Sequence, residues 1–433
     1  MTEILSFIRK RFLTNKEAKN ATWIIGGKIA QMVLSFFVGV LTARYLGPGG
    51  YGTINYVAAY IAFFTSFCTL GINSIIIKEF IDKPEEQGET IGTTLVLREI
   101  SSLLSAVMIV TIVATLDHDE PTTIAIAILS SMALLFQVAD TFSYWFQSRY
   151  QSRVSSIATL FAFFVTSVYR VLLLAANKSI EWFAFALTID YLCIAVVLFA
   201  SYIQYRGQKL CFSWSTAKRL LGKSYHYILS GMMVAVYVQT DKMMLKQMLN
   251  EEAVGFYSLA SAINYMWVFV LAAIIDSITP TIIQLFSTSK MLYERKNRQL
   301  YAIVLYTSFA VAIGIMLLGK FFIKIVYGEA YLNAAGPLRI ICWYTAFSYL
   351  GVARNAWIIC ENQQKYLKYI SAGAAIANVL LNLVLIPLWG ASGAAEASLI
   401  TQILTITLFP WLIHEMRPNV KLMIDAFLLR GLK

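Results

Sequence analysis

The sequence predicts an all-α integral membrane protein with about twelve spanning helices. Three observations carry that reading. Of 433 residues, 58% are hydrophobic and only 14% are charged, whereas a soluble domain carries roughly 25% charged residues to solvate its surface. Mean hydropathy is +0.66. Apolar runs recur along the chain at a length that matches a bilayer, since about 20 residues at 1.5 Å each cross some 30 Å of hydrocarbon.

Taken in order, the expected spans lie near 22–46, 54–77, 93–116, 122–144, 155–176, 182–203, 224–248, 256–283, 300–326, 337–360, 369–388 and 390–413. The first follows a basic stretch with Arg9, Lys10, Arg11, Lys16 and Lys19. Its apolar run exceeds the roughly 7–15 residues of a cleavable leader, so it reads as an uncleaved span. Separators are short and carry turn chemistry, as in Gly47-Pro48-Gly49-Gly50 and in 117–121, Asp-His-Asp-Glu-Pro. The basic stretch 204–223 divides the chain into an N-terminal bundle at 1–203 and a C-terminal one at 224–433.

A net charge of +11 does not read as nucleic-acid binding, because the cations are spread over loops. With the amino terminus inside, the inner segments carry 24 Lys and Arg and the outer ones four, Lys178, Lys246, Lys320 and Lys324. That asymmetry places both termini in the cytoplasm. Cys68, Cys193, Cys211, Cys342 and Cys360 form no C-x-x-C pair, and His118, His226 and His414 lack metal-ligand spacing. Neither metal nor redox chemistry is expected. The 314–320 run G-x-x-x-x-G-K ends in Phe321 where a phosphate loop needs Ser or Thr, and it lies inside an apolar span.

Aligning the halves with an offset of 203 sets 45–52 on 248–255, so that Leu46 meets Leu249, Gly52 meets Gly255 and Ala59 meets Ala262. Six helices per half make this a parallel repeat about an axis along the membrane normal.

The stretch 39–52, GVLTARYLGPGGYG, resembles the amino-terminal signature of polysaccharide flippases of the Wzx type. Three later stretches are similar to the same family: 240–245 with 254–257, then 327–331 (YGEAY), then 378–395 with LNLVLIP and GASGAA. The resemblance implies two six-helix bundles around a central cavity, as in the multidrug/oligosaccharidyl-lipid/polysaccharide exporters (a MATE-like fold). It implies a transporter, not an enzyme: a flippase moving polyprenyl-diphosphate-linked oligosaccharide repeat units to the outer leaflet of a bacterial cytoplasmic membrane. A polysaccharide polymerase and glycosyltransferases would be its partners. Two alternatives within the superfamily stay open, a peptidoglycan-precursor flippase and a multidrug or cation exporter. A membrane-embedded glycosyltransferase or polymerase is disfavoured by the short loops.

A diphosphate needs cations in a cavity that water can reach, and a cation near the bilayer centre costs about 2.5–3.5 kcal/mol. Lys28, Arg170 and Arg354 are the leading candidates, with Arg44 and Lys242 behind them. Arg44, Arg98 and Arg339 stand near span ends, where snorkelling is expected. Asp140, Asp190 and Asp241 lie within spans. Two roles are open to them: coupling to a proton or sodium gradient, the only small-molecule requirement expected, or neutralising Arg170 or Lys242. Gln137, Asn264, Asn378, Asn382, Trp145, Tyr169 and Tyr265 are expected either to contact sugars or to bond between helices.

Overall fold

The computed structural model describes the backbone of residues 16–431 and the side chains of 31–73, 75–229 and 231–431. Among the described residues every regular element is helical. In chain order the helices are α1 (Lys16–Cys68), α2 (Ile76–Asp82), α3 (Gln87–Leu116), α4 (Pro121–Gln137), α5 (Asp140–Ser148), α6 (Ser152–Ala175), α7 (Ile180–Gln204) and α8 (Trp214–Met248). They continue with α9 (Glu251–Tyr265), α10 (Val268–Thr288), α11 (Lys290–Val326), α12 (Ala335–Cys360), α13 (Leu367–Trp389), α14 (Ala391–Ile406), α15 (Leu408–Leu412) and α16 (Arg417–Phe427).

Nine described segments are long and apolar enough to cross a membrane, from Gln31–Cys68 to Ala391–Leu412. The expected spans near 22–46 and 54–77 run together in α1, which breaks only at Gly47 (φ 67, ψ 177). Glycine tolerates that φ, and Pro48 after it disfavours the α region at the preceding residue. The second of these spans stops at Cys68 and not at 77, because Leu70 and Gly71 both take positive φ. The expected span at 256–283 falls on two helices, α9 and α10, parted at Met266–Trp267. Helices α8 and α12 are also long, but α8 carries Asp241 and Lys242, and α12 carries Arg339 and Arg354. The stretch 204–223 turns helical at Trp214 and runs straight on into α8.

Contacts divide the chain into two compact units. One comprises residues up to Tyr45 and Val57–Met232; the other comprises Leu46–Tyr56 and Met233 onward. The first unit packs around Phe80, Phe142, Trp145, Phe146, Leu198 and Tyr202. Its strap at 207–213 lies on the first turns of α3: Gly88 and Gly92 have room for no Cβ, which would stand 2.4 Å from Lys209 O and from Cys211 O respectively. Gln208 accepts from Gly88 N at 2.8 Å, and Thr93 Oγ1 accepts from Ser213 N at 3.0 Å. The α8 start is pinned by ion pairs from Arg219 and Lys223 to the buried Glu79.

The second unit packs around Leu271, Tyr293, Tyr301, Trp357 and Met416. Within it, 46–56 meets the start of α9 backbone to backbone. A Cβ on Gly52 would fall 1.8 Å from Glu251 O, and one on Gly255 would fall 2.1 Å from Pro48 O. The contact is reciprocal at the repeat offset, since 251 − 48 and 255 − 52 both equal 203. Each segment offers a glycine to the carbonyl at the other's first turn, the pattern of a two-fold contact.

Candidate functional site

The second unit gathers its buried charge around α8. Asp241 is 1% exposed and accepts from four side chains on three other helices. Tyr257 Oη donates from α9, Asn378 Nδ2 and Asn382 Nδ2 from α13 at 3.1 and 2.7 Å, and Ser398 Oγ from α14. Asn378 and Asn382 stand four residues apart, so one face of α13 presents both. They also bond to each other at 3.1 Å, and Asn382 Oδ1 remains buried without a donor. All four donors are neutral. The site is therefore a carboxylate held in a cage of hydroxyl and amide groups, whose oxygens are the ligand type that hard cations take.

Beside this cage lies a cavity of about 240 Å³, lined by Tyr237, Gln239, Lys242, Ser261, Tyr265 and Tyr344 together with Asp241, Tyr257 and Ser398. Asp241 and Lys242 are chain neighbours and so point along different directions of α8, yet both reach this wall. Among the described residues no hydrogen bond holds the Lys242 ammonium. Arg354, 4% exposed on α12, donates from Nη1 to Thr405 O at 3.0 Å, while its Nε is buried with no acceptor. Two cations, one carboxylate and a wall of phenols thus lie within one membrane-embedded unit.

The first unit treats its charges differently. Arg98 is 1% exposed, so the snorkelling expected for it is overturned. It donates to Thr141 Oγ1 at 3.0 Å, Gln137 O at 3.3 Å and Val138 O at 3.4 Å. Gln137 closes α4 and Val138 follows it, at the negative dipole end of that helix; Val138 O also accepts from Thr141 N at 3.1 Å. The span breaks there into α4 and α5, and a forked guanidinium caps the break. Asp140, at the start of α5, acts electrostatically on Arg98. Asp190 on α7 likewise faces Arg170 of α6 and accepts from Thr166 at 3.3 Å. Arg44 is exposed, three residues before the kink, and Arg339 is exposed on α12. Lys28 lies on α1, with its side chain outside the described residues.

Several polar groups offered to sugars are spent on structure. Trp145 Nε1 donates to Gln87 Oε1 at 2.9 Å inside the core, Tyr169 Oη to Trp182 O at 3.2 Å, and Asn264 to Thr345 at 2.5 Å. Tyr265 does line the cavity. Sequence reasoning missed Tyr257 and Ser398 because a single hydroxyl on an apolar helix is commonplace. The i, i+4 asparagine pair was the available signal.

The match to known families fits this architecture. The model of the family described as "Polysaccharide biosynthesis protein" matches residues 18–286. The chain belongs to that family. No curated protein matches it in sequence. Among solved structures, it is similar to the lipid II flippase MurJ in an inward closed conformation, with a TM-score of 0.72 at 12% identity over 94% of this chain and 91% of that one. It is also similar to a multidrug resistance MATE family transporter of the MOP superfamily, inward-facing, with a TM-score of 0.66 at 13% identity over 91% and 96%. A MOP superfamily transporter from Pyrococcus furiosus gives 0.54 at 12% identity, over 94% of each chain. The fold is accordingly the all-α one of these membrane transporters.

Proposed function

We propose that this family member flips polyprenyl-diphosphate-linked oligosaccharide repeat units across a bacterial cytoplasmic membrane by alternating access, with both termini cytoplasmic. The observation that carries the reading is the cavity beside Asp241, where Lys242 and phenolic hydroxyls face polar space inside an apolar helical unit. Lys242 would meet the diphosphate, with Arg354, which acts electrostatically on the cavity's Tyr237, offering an unused Nε–H. Tyrosines 237, 265 and 344 supply the hydroxyls and ring faces that sugars need. Buried cations oppose insertion, so their presence fits an anionic ligand better than a cationic drug.

Coupling to an ion gradient is assigned to Asp241. Asp140 and Asp190 each face an arginine, which favours charge neutralisation for both. Asp241 accepts hydrogen bonds from neutral donors only and borders the cavity with Lys242 acting on it, so a proton or a sodium ion arriving there would alter the charge that Lys242 and a bound diphosphate meet.

The test is translocation of a labelled polyprenyl-diphosphate oligosaccharide in proteoliposomes, with Lys242→Ala, Arg354→Ala and Asp241→Asn compared with the intact chain. Movement by the intact chain, lost in folded variants, supports the reading. If a lipid-linked peptidoglycan precursor or a cationic drug moves and the oligosaccharide does not, the substrate assignment fails.

A further inference from the structure

The first unit carries an open groove of about 530 Å³ on its outer surface, distant in the chain from every residue used above for transport. Its walls are Leu95, Val96 and Glu99 of α3 against Leu192, Val196 and Phe199 of α7, and its floor is the α4–α5 break at Val138–Ala139. The groove thus lies over the break that Arg98 caps. The volume falls in the range of about 300–1,000 Å³ that holds small ligands.

The surrounding surface faces hydrocarbon. Ile100, Leu103, Leu104 and Val107 on α3 are all more than half exposed, as is Val196 on α7. In a chain of this hydropathy a contiguous aliphatic surface of that kind marks a face turned to lipid. Glu99 is the one charged residue of the groove lining. Among the described residues none makes a hydrogen bond or ion pair with it, although a carboxylate in hydrocarbon calls for a partner.

Depth and direction decide what that partner is. The strap contacts on α3 end at Thr93. Glu99 lies six residues further on, about 9 Å along the axis at 1.5 Å per residue. That is inside one leaflet, whose hydrocarbon is about 15 Å deep. The level of the headgroups is marked by Phe212 and Trp214 on the strap side, 48% and 63% exposed, as interfacial aromatics are. A helical Cα–Cβ bond tilts towards the helix N-terminus, which on α3 is the strap end. The Glu99 carboxylate therefore reaches from the groove towards the headgroups.

We propose that this groove is a binding site for a zwitterionic aminophospholipid, one acyl chain lying between α3 and α7 and the primary ammonium donating to Glu99. The apolar groove supplies affinity for any chain of that leaflet. The carboxylate supplies the choice of headgroup: a primary ammonium can both neutralise it and hydrogen-bond to it. An anionic headgroup repels it, and a quaternary choline offers no N–H.

Native mass spectrometry of the full chain, exchanged from detergent into equal mixtures of phosphatidylethanolamine, phosphatidylcholine and phosphatidylglycerol, tests this. The intact protein should retain phosphatidylethanolamine over phosphatidylglycerol by about tenfold, the scale of one charge-assisted hydrogen bond. Glu99→Gln should retain lipid with that preference reduced to about twofold or less, and Val196→Trp, which fills the groove, should lose the retained lipid of every class. An intact protein without preference, or an unchanged preference in Glu99→Gln, overturns the proposal. So does a protein helix or a second copy of the chain that co-elutes stoichiometrically and is released by Glu99→Gln.

Discussion

The reciprocal glycine contact in the second unit makes a sharp stability prediction. Alanine at 52 would set a Cβ 1.8 Å from Glu251 O, and relief to 3.0 Å, the lower limit for such contacts, requires a movement of 1.2 Å. The obstructing atom is backbone, so no side chain can rotate away. Overpacking of this kind costs about 1–3 kcal/mol when side chains can yield, and the upper end applies to a backbone clash. Against it stands about 1 kcal/mol gained from replacing glycine in a helix. A net loss of roughly 2 kcal/mol follows for Gly52→Ala, and slightly less for Gly255→Ala, whose Cβ would stand 2.1 Å from Pro48 O. Because one parting of the two segments relieves both clashes, the double variant should lose little more than Gly52→Ala alone. Gly49→Ala is the control, its Cβ meeting only Glu252 Cγ at 3.9 Å. The assay is thermal unfolding of the detergent-purified protein by tryptophan fluorescence. Single variants that melt with the parent, or a double variant whose loss equals the sum, would refute the reciprocal packing.

Other expectations rest on the same structure. Arg98→Met leaves the α4 carbonyls and Asp140 without their cation and should destabilise by about 3–5 kcal/mol, whereas the exposed Arg339→Ala should stay within about 0.5 kcal/mol; equal melting points for the two would count against the capping role. Arg98→Lys should recover only part of the loss in the same melt, since a point ammonium cannot reach three acceptors as a fork does. Asp241→Asn should fold and still bind substrate while losing its response to an imposed proton or sodium gradient in proteoliposomes. Full gradient-driven transport by that variant would remove Asp241 from coupling. Glu79→Gln breaks the pairs to Arg219 and Lys223 and should lower stability by about 1–3 kcal/mol, in a manner that high salt diminishes; a salt-independent melting point in the parent would argue against those pairs.

Much of the fold was legible because lipid imposes it. A chain that cannot solvate its backbone must form helices, and the length of each apolar run sets where they begin and end. The spans near 155–176, 182–203 and 369–388 correspond to α6, α7 and α13 with small shifts, while the one near 300–326 shares its end with α11, which starts ten residues earlier at Lys290. The breaks at 69–75 and 266–267 were not legible, because residues such as Leu70, Met266 and Trp267 are as apolar as their helical neighbours. The repeat offset of 203 was visible only as a faint alignment, and the mutual approach of Gly52 and Gly255 gives it physical content.

The charges divide along the same line. Sequence alone determined that Arg98, Arg170, Lys242, Arg354, Asp140, Asp190 and Asp241 lie at membrane depth, and that each must pair, snorkel or line polar space, because the energy of an isolated charge in hydrocarbon allows nothing else. Only the tertiary structure decided which. It buried Arg98 of α3 against the C-terminal end of α4. It set Asp190 against Arg170, and it closed four donors from three other helices around Asp241. Which faces meet depends on helix rotation and packing between segments from about twenty residues apart, for Arg170 and Asp190, to 157 apart, for Asp241 and Ser398, and hydropathy along one helix carries no record of its neighbours.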